Sequence, residues 1–343
     1  MLKASYQKYE LAFKQPVLTS RGEMKTKNGY FLFLENEKHK GVGECSYIEG
    51  LSIDNLKGYE GALSAACTAF ESASESPVDL SQFPSIAFGI ETAQTDLAGG
   101  GSKVLFQSAF TGGKQQIPIN GLVWMGKKDK MLQQVKQKLT DGFKCIKIKV
   151  GAINFDEEVE LLSYVRDHFP PDVIEIRLDA NGAFSFDEVF EKLDTLSQFH
   201  IHSIEQPIKQ GQAEFMRNVC HNSPIPVALD EELIGVYGTV QDDILDLIKP
   251  QYIILKPSLL GGFKASDEWI KKAEARNIKW WATSALESNI GLNAIAQWVF
   301  TKNATMVQGL GTGSLYSNNI TSPLFIYNGH LGYDPTVPWQ ENF

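Results

Sequence analysis

With 343 residues, the chain is too long for one small domain and suits a barrel of roughly 200–250 residues beside a smaller partner domain. Its hydrophobic share of 43% and charged share of 21% are those of a folded globular protein. The formal charge of −9 argues against a nucleic-acid or anionic-membrane surface, and no run of about 18 apolar residues is present to span a bilayer.

The opening MLKASYQKYELAFKQ has no apolar h-region of a secretion signal. Cys45, Cys67, Cys145 and Cys220 form no C-x-x-C pair. The expectation is therefore a reduced, cytoplasmic protein with small buried thiols.

Residues 1–112 read as an α+β capping domain. Alternating Tyr30-Phe31-Leu32-Phe33-Leu34 predicts a strand, and Lys27-Asn28-Gly29 a hairpin turn before it. Helical patterns follow at Ile53–Ser72 and Ser85–Leu97. The AGGGSK run at 98–103 lacks the G-x-x-x-x-G-K-S/T order of a phosphate loop, so it predicts a turn or hinge. Leu18–Thr26 and Cys45–Ser52 are candidate lid loops.

From residue 113 to 321 the pattern is βα. IPINGLVW is a candidate first strand, KDKMLQQVKQKLTDGF an amphipathic helix and CIKIKVG a second strand. EIRLDANG, SIEQP, PVALDEE, YIILKPS, IKWWATSALES and TMVQGLGTG bring the strand candidates to eight, the form of a (β/α)8 TIM-like barrel in the α/β class. After Asp179, Ser185-Phe-Asp-Glu188 makes a capping box, and Phe186, Val189, Phe190, Leu193 and Leu196 form one apolar helix face. The tail, about 322–343, has no βα pattern and is expected to pack back on the capping domain.

Polar anchors end these strands: Lys147 and Lys149, Asp179, Glu205, Asp230 and Lys256, falling 25 to 30 residues apart from Lys149 onward. Strand side chains alternate. If Ile146, Ile148 and Val150 face the helices, both lysines point into the barrel. The same count turns Asp179, Glu205, Asp230 and Lys256 inward.

Three inward carboxylates suit a hard cation with oxygen ligands, Mg²⁺ before zinc, because no HExxH, C-x-x-C or spaced His pair is present. A salt-bridge lattice of three acids and three lysines is the alternative. Lysines at strand positions i and i+2 start about 6–7 Å apart. Their repulsion of roughly 2.5 kcal/mol at an effective dielectric near 20 would lower one pKa by almost two units, opposed by the acids. A lysine base, Mg²⁺ and a second lysine opposite suit removal of a proton α to a carboxylate, with an ene-diolate formed.

The K-x-K of 147–149, LDAN at 178–181, IEQP at 204–207, ALDEE at 228–232, LKPSLLGG at 255–262 and SALESNIGL at 284–292 resemble the muconate-lactonizing-enzyme branch of the enolase superfamily. GVGECSYIEGLS at 41–52, FGIETA at 88–93 and GLGTGSLYSNNITSPL at 309–324 extend the resemblance to nearly the whole chain. Within that branch the chain is most similar to the o-succinylbenzoate synthases of menaquinone biosynthesis.

The resemblance implies a Mg²⁺-dependent lyase (Mn²⁺ a possible substitute) acting on a small carboxylate by syn-dehydration through an enediolate. Asp179, Glu205 and Asp230 would hold the metal, Lys149 would be the acid and base, Lys147 would tune it, and Lys256 would face the anion. Ser284, Glu287, Gly311 and Gly313 are candidate substrate contacts. Glu231 is expected to point away from the site by alternation; of Trp280-Trp281, one ring is expected to pack in the core and the other to face inward, contact with the substrate being the lesser alternative. Alternatives are an N-acylamino-acid racemase or dipeptide epimerase, and a non-catalytic metal- or ligand-binding barrel. The epimerases usually carry an Asp-x-Asp after strand eight, where this chain has no acid.

Overall fold

The computed structural model describes residues 2–19, 22–72 and 78–340. The capping domain is an antiparallel sheet of β1 (Lys3–Thr19), β2 (Gly22–Glu35) and β3 (Lys40–Cys45), covered by α1 (Tyr59–Glu71) and α2 (Pro84–Ala98). Tyr30, Leu32 and Leu34 of β2 face α1 and α2 residues such as Leu63 and Ile86 in one buried cluster. The sheet lies close on α2 because β3 offers glycine there. A Cβ on Gly43 would overlap the Gly89 carbonyl.

The hairpin turn is not at Asn28-Gly29. Both residues lie inside β2, where Gly29 pairs with Tyr9 of β1. A Cβ on Gly29 would overlap the Tyr9 ring, so the glycine makes room for an aromatic neighbour. The chain reverses between Thr19 and Gly22 instead. Ser20 and Arg21 of the first candidate lid lie outside the described residues. The AGGGSK run is a turn, with Gly100 and Gly101 at positive φ.

After β4 (Ile117–Pro118), seven parallel strands follow in sequence order around one sheet: β5 (Gly121–Val123), β6 (Cys145–Lys149), β7 (Glu175–Asp179), β8 (Ser203–Glu205), β9 (Val227–Leu229), β10 (Tyr252–Leu255) and β11 (Lys279–Ala282). Between them run α3 (Lys128–Thr140), α4 (Phe155–His168), α5 (Val189–Ser197), α6 (Ala213–Asn222), α7 (Thr239–Ile248), the short α8 (Pro257–Leu260) and α9 (Phe263–Glu274). The eighth strand candidate is reduced to bridges. Gln308 pairs with Ile119 and Gly309 with Thr283, which closes the ring between β11 and the start of the barrel.

The helix-facing residues Ile146, Ile148, Leu178, Ile204, Leu229 and Leu255 are buried in the main core, as the alternation predicts. In the capping box Glu188 accepts a hydrogen bond from the Ser185 N–H at 3.0 Å, while Phe186 stays 63% exposed rather than joining the buried face. After α10 (Asn289–Thr301), the tail forms a hairpin of β12 (Leu324–Tyr327) and β13 (His330–Tyr333). The hairpin pairs with β4 at the barrel entry instead of the capping sheet. Among the described residues of the tail, Trp339 joins Phe31, Phe33 and Val42 of the capping domain.

Candidate active site

Lys149, Asp179 and Glu205 are the last residues of their strands, and Lys147 keeps the same inward phase two residues before Lys149. Register makes Lys149, Asp179 and Glu205 direct neighbours across β6, β7 and β8. Asp230 and Lys256 each stand one residue beyond β9 and β10. Asp179, Glu205 and Asp230 are buried, and the three lysines line a cavity of about 1500 Å³. Its other walls include the strand ends of the β1–β2 hairpin at Thr19 and 23–28, the capping loop at 47–51, and Ser284 and Gly311 on the barrel.

The charges are paired tightly. The Lys147 ammonium lies 2.7 Å from Asp179 Oδ2 and also meets Glu205. Lys149 donates to Asp179 Oδ2 and to Asn181 Oδ1, each at 2.6 Å. Lys256 donates to Asp230. Burial favours the neutral form of Lys147, but the carboxylates of Asp179, Glu205 and Asp230 outweigh it and hold its pKa above the usual lysine value. Lys256 is raised likewise, with burial opposed chiefly by Asp230. The repulsion that would lower a lysine in this pair is thus outweighed at Lys147.

Burial would raise Asp179 too, yet Lys147 and Lys149 hold it well below the carboxylate range. Glu205 moves the opposite way, pushed up by burial and by the Asp179 charge. Its Oε1 is buried without a hydrogen-bond partner.

Among the described residues, no three Asp, Glu, His or Cys side chains are gathered closely enough to hold a metal ion as they stand. The reason is local. The ammonium of Lys147 bridges Asp179 and Glu205, and that of Lys256 covers Asp230 Oδ2. The donor chemistry nevertheless fits a hard divalent cation. The three anchors offer only carboxylate oxygens, one of them orphaned, and no sulfur or imidazole joins them.

Glu231 corrects the alternation argument. The strand stops at Leu229 and a 3-10 turn runs from Glu231 to Leu233, so the side chain faces the cavity. There it accepts a hydrogen bond from Asn181 Nδ2 at 3.0 Å. Asn181 links Lys149, Asp179 and Glu231 from a left-handed backbone, φ 45°. Gln206, φ 41°, accepts from the Asp230 N–H at 3.2 Å and donates to Glu232, tying β8 to β9. Sequence reasoning gave neither residue a role. Their position just after the strand-end acids is the signal that marks them.

Ser284 and Gly311 line the cavity, whereas Glu287 and Gly313 do not. Glu287 sits behind the wall, accepting from the Ser258 and Ser284 hydroxyls and from the Ala285 N–H at 2.7 Å. Gly313 faces Asn289 and Leu292. Trp281 does point into the barrel but lies outside the cavity wall. It packs on Ala228 and Ile254, with the Arg177 guanidinium 4.3 Å from its ring centre, as a plug below the anchors.

Capping domain and barrel are joined beside this site by Glu44 at the end of β3. The carboxylate accepts from the Ser288 and Gly291 N–H groups, each at 2.8 Å, and from the Ser288 and Tyr9 hydroxyls. Ser288 and Gly291 begin α10, so a capping-domain acid caps a barrel helix.

The family profile described as "Enolase C-terminal domain-like" matches residues 130–334, and that of "MenC, N-terminal domain" matches residues 1–97. The chain is 44% identical to the o-succinylbenzoate synthase of Desulfotalea psychrophila, over 96% of this chain and 99% of that protein. The crystal structure of MenC from Desulfotalea psychrophila is similar at a TM-score of 0.86 and 42% identity, covering 96% of this chain and 99% of that one. The dipeptide epimerase of Enterococcus faecalis, solved with Mg and L-Leu-L-Tyr, shares the fold at a TM-score of 0.84 and 20% identity, covering 98% of each chain.

Proposed function

We propose, on the premise that this chain belongs to the o-succinylbenzoate synthases of the enolase superfamily, that Asp179, Glu205 and Asp230 hold one Mg²⁺ and that Lys149 carries the acid–base chemistry. The activity that membership brings is a lyase step of menaquinone biosynthesis. Water is lost from 2-succinyl-6-hydroxy-2,4-cyclohexadiene-1-carboxylate to give o-succinylbenzoate. Superfamily membership also brings dependence on a divalent metal. Mg²⁺, with Mn²⁺ as a substitute, is our assignment from the all-oxygen donor set.

When bound, the cation supplies Lewis-acid charge toward the substrate's ring carboxylate. Lys149 takes the proton α to that carboxylate. It then gives a proton to the departing hydroxide on the same face, so a C–H and a C–O bond break, water leaves and the ring becomes aromatic. Lys147 faces the same carboxylate and sets the field around Lys149. Lys256 presents its charge from the opposite strand, where negative charge grows as the proton leaves. Ser284 and Gly311 bound the succinyl side of the cavity.

The observation that supports this most is the register row Lys149, Asp179, Glu205, with Lys256 and Asp230 completing it across one cavity. Incubation with the cyclohexadiene substrate and Mg²⁺, following the aromatic product's absorbance, tests it. Absence of turnover there, with α-proton exchange on an N-acylamino acid, would favour a racemase or epimerase. The segment after the eighth strand position, GLGTGSLYSNN, has no acid to grip a substrate ammonium, which counts against that outcome.

A further inference from the structure

Of the cavity-wall cations that the chemistry above does not use, Lys25, Lys27 and Lys138, only Lys27 is buried. Lys27 of β2 is 2% exposed, yet its side chain lines the cavity from the capping side. Among the described residues its hydrogen-bond partner is a neutral one, the Ser46 hydroxyl at 2.6 Å. An ammonium carries three donors, and a buried charge without a counter-ion is costly.

The acids whose charge reaches Lys27 are Glu44, Glu287 and Asp54; the first two have both oxygens engaged, and Asp54 keeps one buried oxygen, Oδ2, without a hydrogen-bond partner. Glu44 caps α10, Glu287 holds Ser258 and Ser284, and Asp54 accepts from the Ser85 N–H and hydroxyl at the start of α2. None forms an ion pair with Lys27. Burial pushes the Lys27 amine toward its neutral form against these acids, and an anion entering the cavity is the partner that would hold its charge there.

The barrel end of the same cavity is set for one carboxylate. A substrate reaching both ends carries two, and o-succinylbenzoate and its precursor do, one on the ring and one at the end of the succinyl arm. We propose that Lys27 binds the terminal succinyl carboxylate, with Ser46 fixing the direction of its ammonium, and so makes the capping domain the selector for a dicarboxylate. This rests on the activity stated above. Lys27 is then a specificity residue and takes no part in the proton transfers.

The test compares two ligands on the Mg²⁺-loaded enzyme by calorimetry: o-succinylbenzoate and 2-butanoylbenzoate, in which a methyl replaces the terminal carboxylate. A charge-assisted hydrogen bond in a dry site predicts that the wild type prefers o-succinylbenzoate by about tenfold to a hundredfold. Lys27→Met, which keeps the length and leaves no buried charge, should bring the ratio to within about threefold of unity. Its kcat/KM for the cyclohexadiene substrate should fall chiefly through KM. Lys27→Arg should restore part of the preference.

A ratio unchanged in Lys27→Met, or a wild type that does not distinguish the ligands, overturns the proposal while turnover of the cyclohexadiene substrate leaves the activity standing. Absence of that turnover overturns both.

Discussion

Replacing Glu44 by Gln tests the clasp between the two domains. Glu44 is fully buried, and its two oxygens divide four donors: Oε1 takes the Ser288 N–H and the Tyr9 hydroxyl, Oε2 the Gly291 N–H and the Ser288 hydroxyl. In glutamine one of these atoms becomes an NH₂ group. Hydroxyls can rotate and accept from it, but a backbone N–H cannot turn round. Whichever way the amide lies, one buried N–H of α10 loses its acceptor, and the other hydrogen bonds lose their charge assistance.

The expected cost is about 2–3 kcal/mol, a large share of a domain stability of about 5–15 kcal/mol. Equilibrium urea unfolding measures it as a lower midpoint at unchanged slope. Glu35→Gln, on an exposed strand-end acid, is the control and should stay within about 0.5 kcal/mol. Ser288→Ala combined with Glu44→Gln should cost less than the two changes added, because they share one contact. A Glu44→Gln midpoint equal to that of Glu35→Gln would refute the clasp.

Lys149→Ala should lower kcat by about 10²–10⁴ while Mg²⁺ binding by calorimetry persists; turnover surviving with metal still bound would remove Lys149 from the chemistry. Asp54 gives a pH prediction. Burial lifts its pKa to about 6 against the hydrogen bonds from Ser85, and its Oδ2 is buried without a partner. Because the folded chain holds this proton more tightly than the unfolded one, near 3.9, its contribution is fully present below about pH 4. That contribution is lost as the pH rises through about 6, at a cost of about 2–3 kcal/mol. Wild type should therefore lose stability relative to Asp54→Asn between pH 4.5 and 7.5 in urea unfolding, and parallel curves would contradict the assignment.

The inward set Lys147, Lys149, Asp179, Glu205, Asp230 and Lys256 was legible in the sequence because strand alternation is strict and the apolar partners are unambiguous. Alternation stops being informative where strands stop. Glu231 enters the cavity because a 3-10 turn begins there and Asn181 through left-handed backbone, while Gln206, also left-handed, ties β8 to β9 behind the wall; no pattern of hydrophobicity marks either turn. The eighth strand was readable as a position in the ring but not as bridges, since Gln308 and Gly309 pair through single backbone contacts too short for side-chain alternation to mark.

Trp281 and Glu287 show a different limit. Facing inward does not place a residue at the mouth, and Trp281 lies lower in the barrel, while Glu287 is consumed by Ser258 and Ser284. Asn28-Gly29 has the composition of a turn, but the Tyr9 ring across the sheet accounts for the glycine.

The central claim is that three strand-end carboxylates grip one divalent cation between opposed lysines. Anomalous scattering from crystals loaded with Mn²⁺ tests it most directly. The account predicts one peak within about 2.0–2.3 Å of oxygens from Asp179, Glu205 and Asp230, with the ammonium groups of Lys147 and Lys256 withdrawn from those oxygens. A peak elsewhere, or no peak with the lysine–carboxylate pairs intact at saturating Mn²⁺, would contradict it.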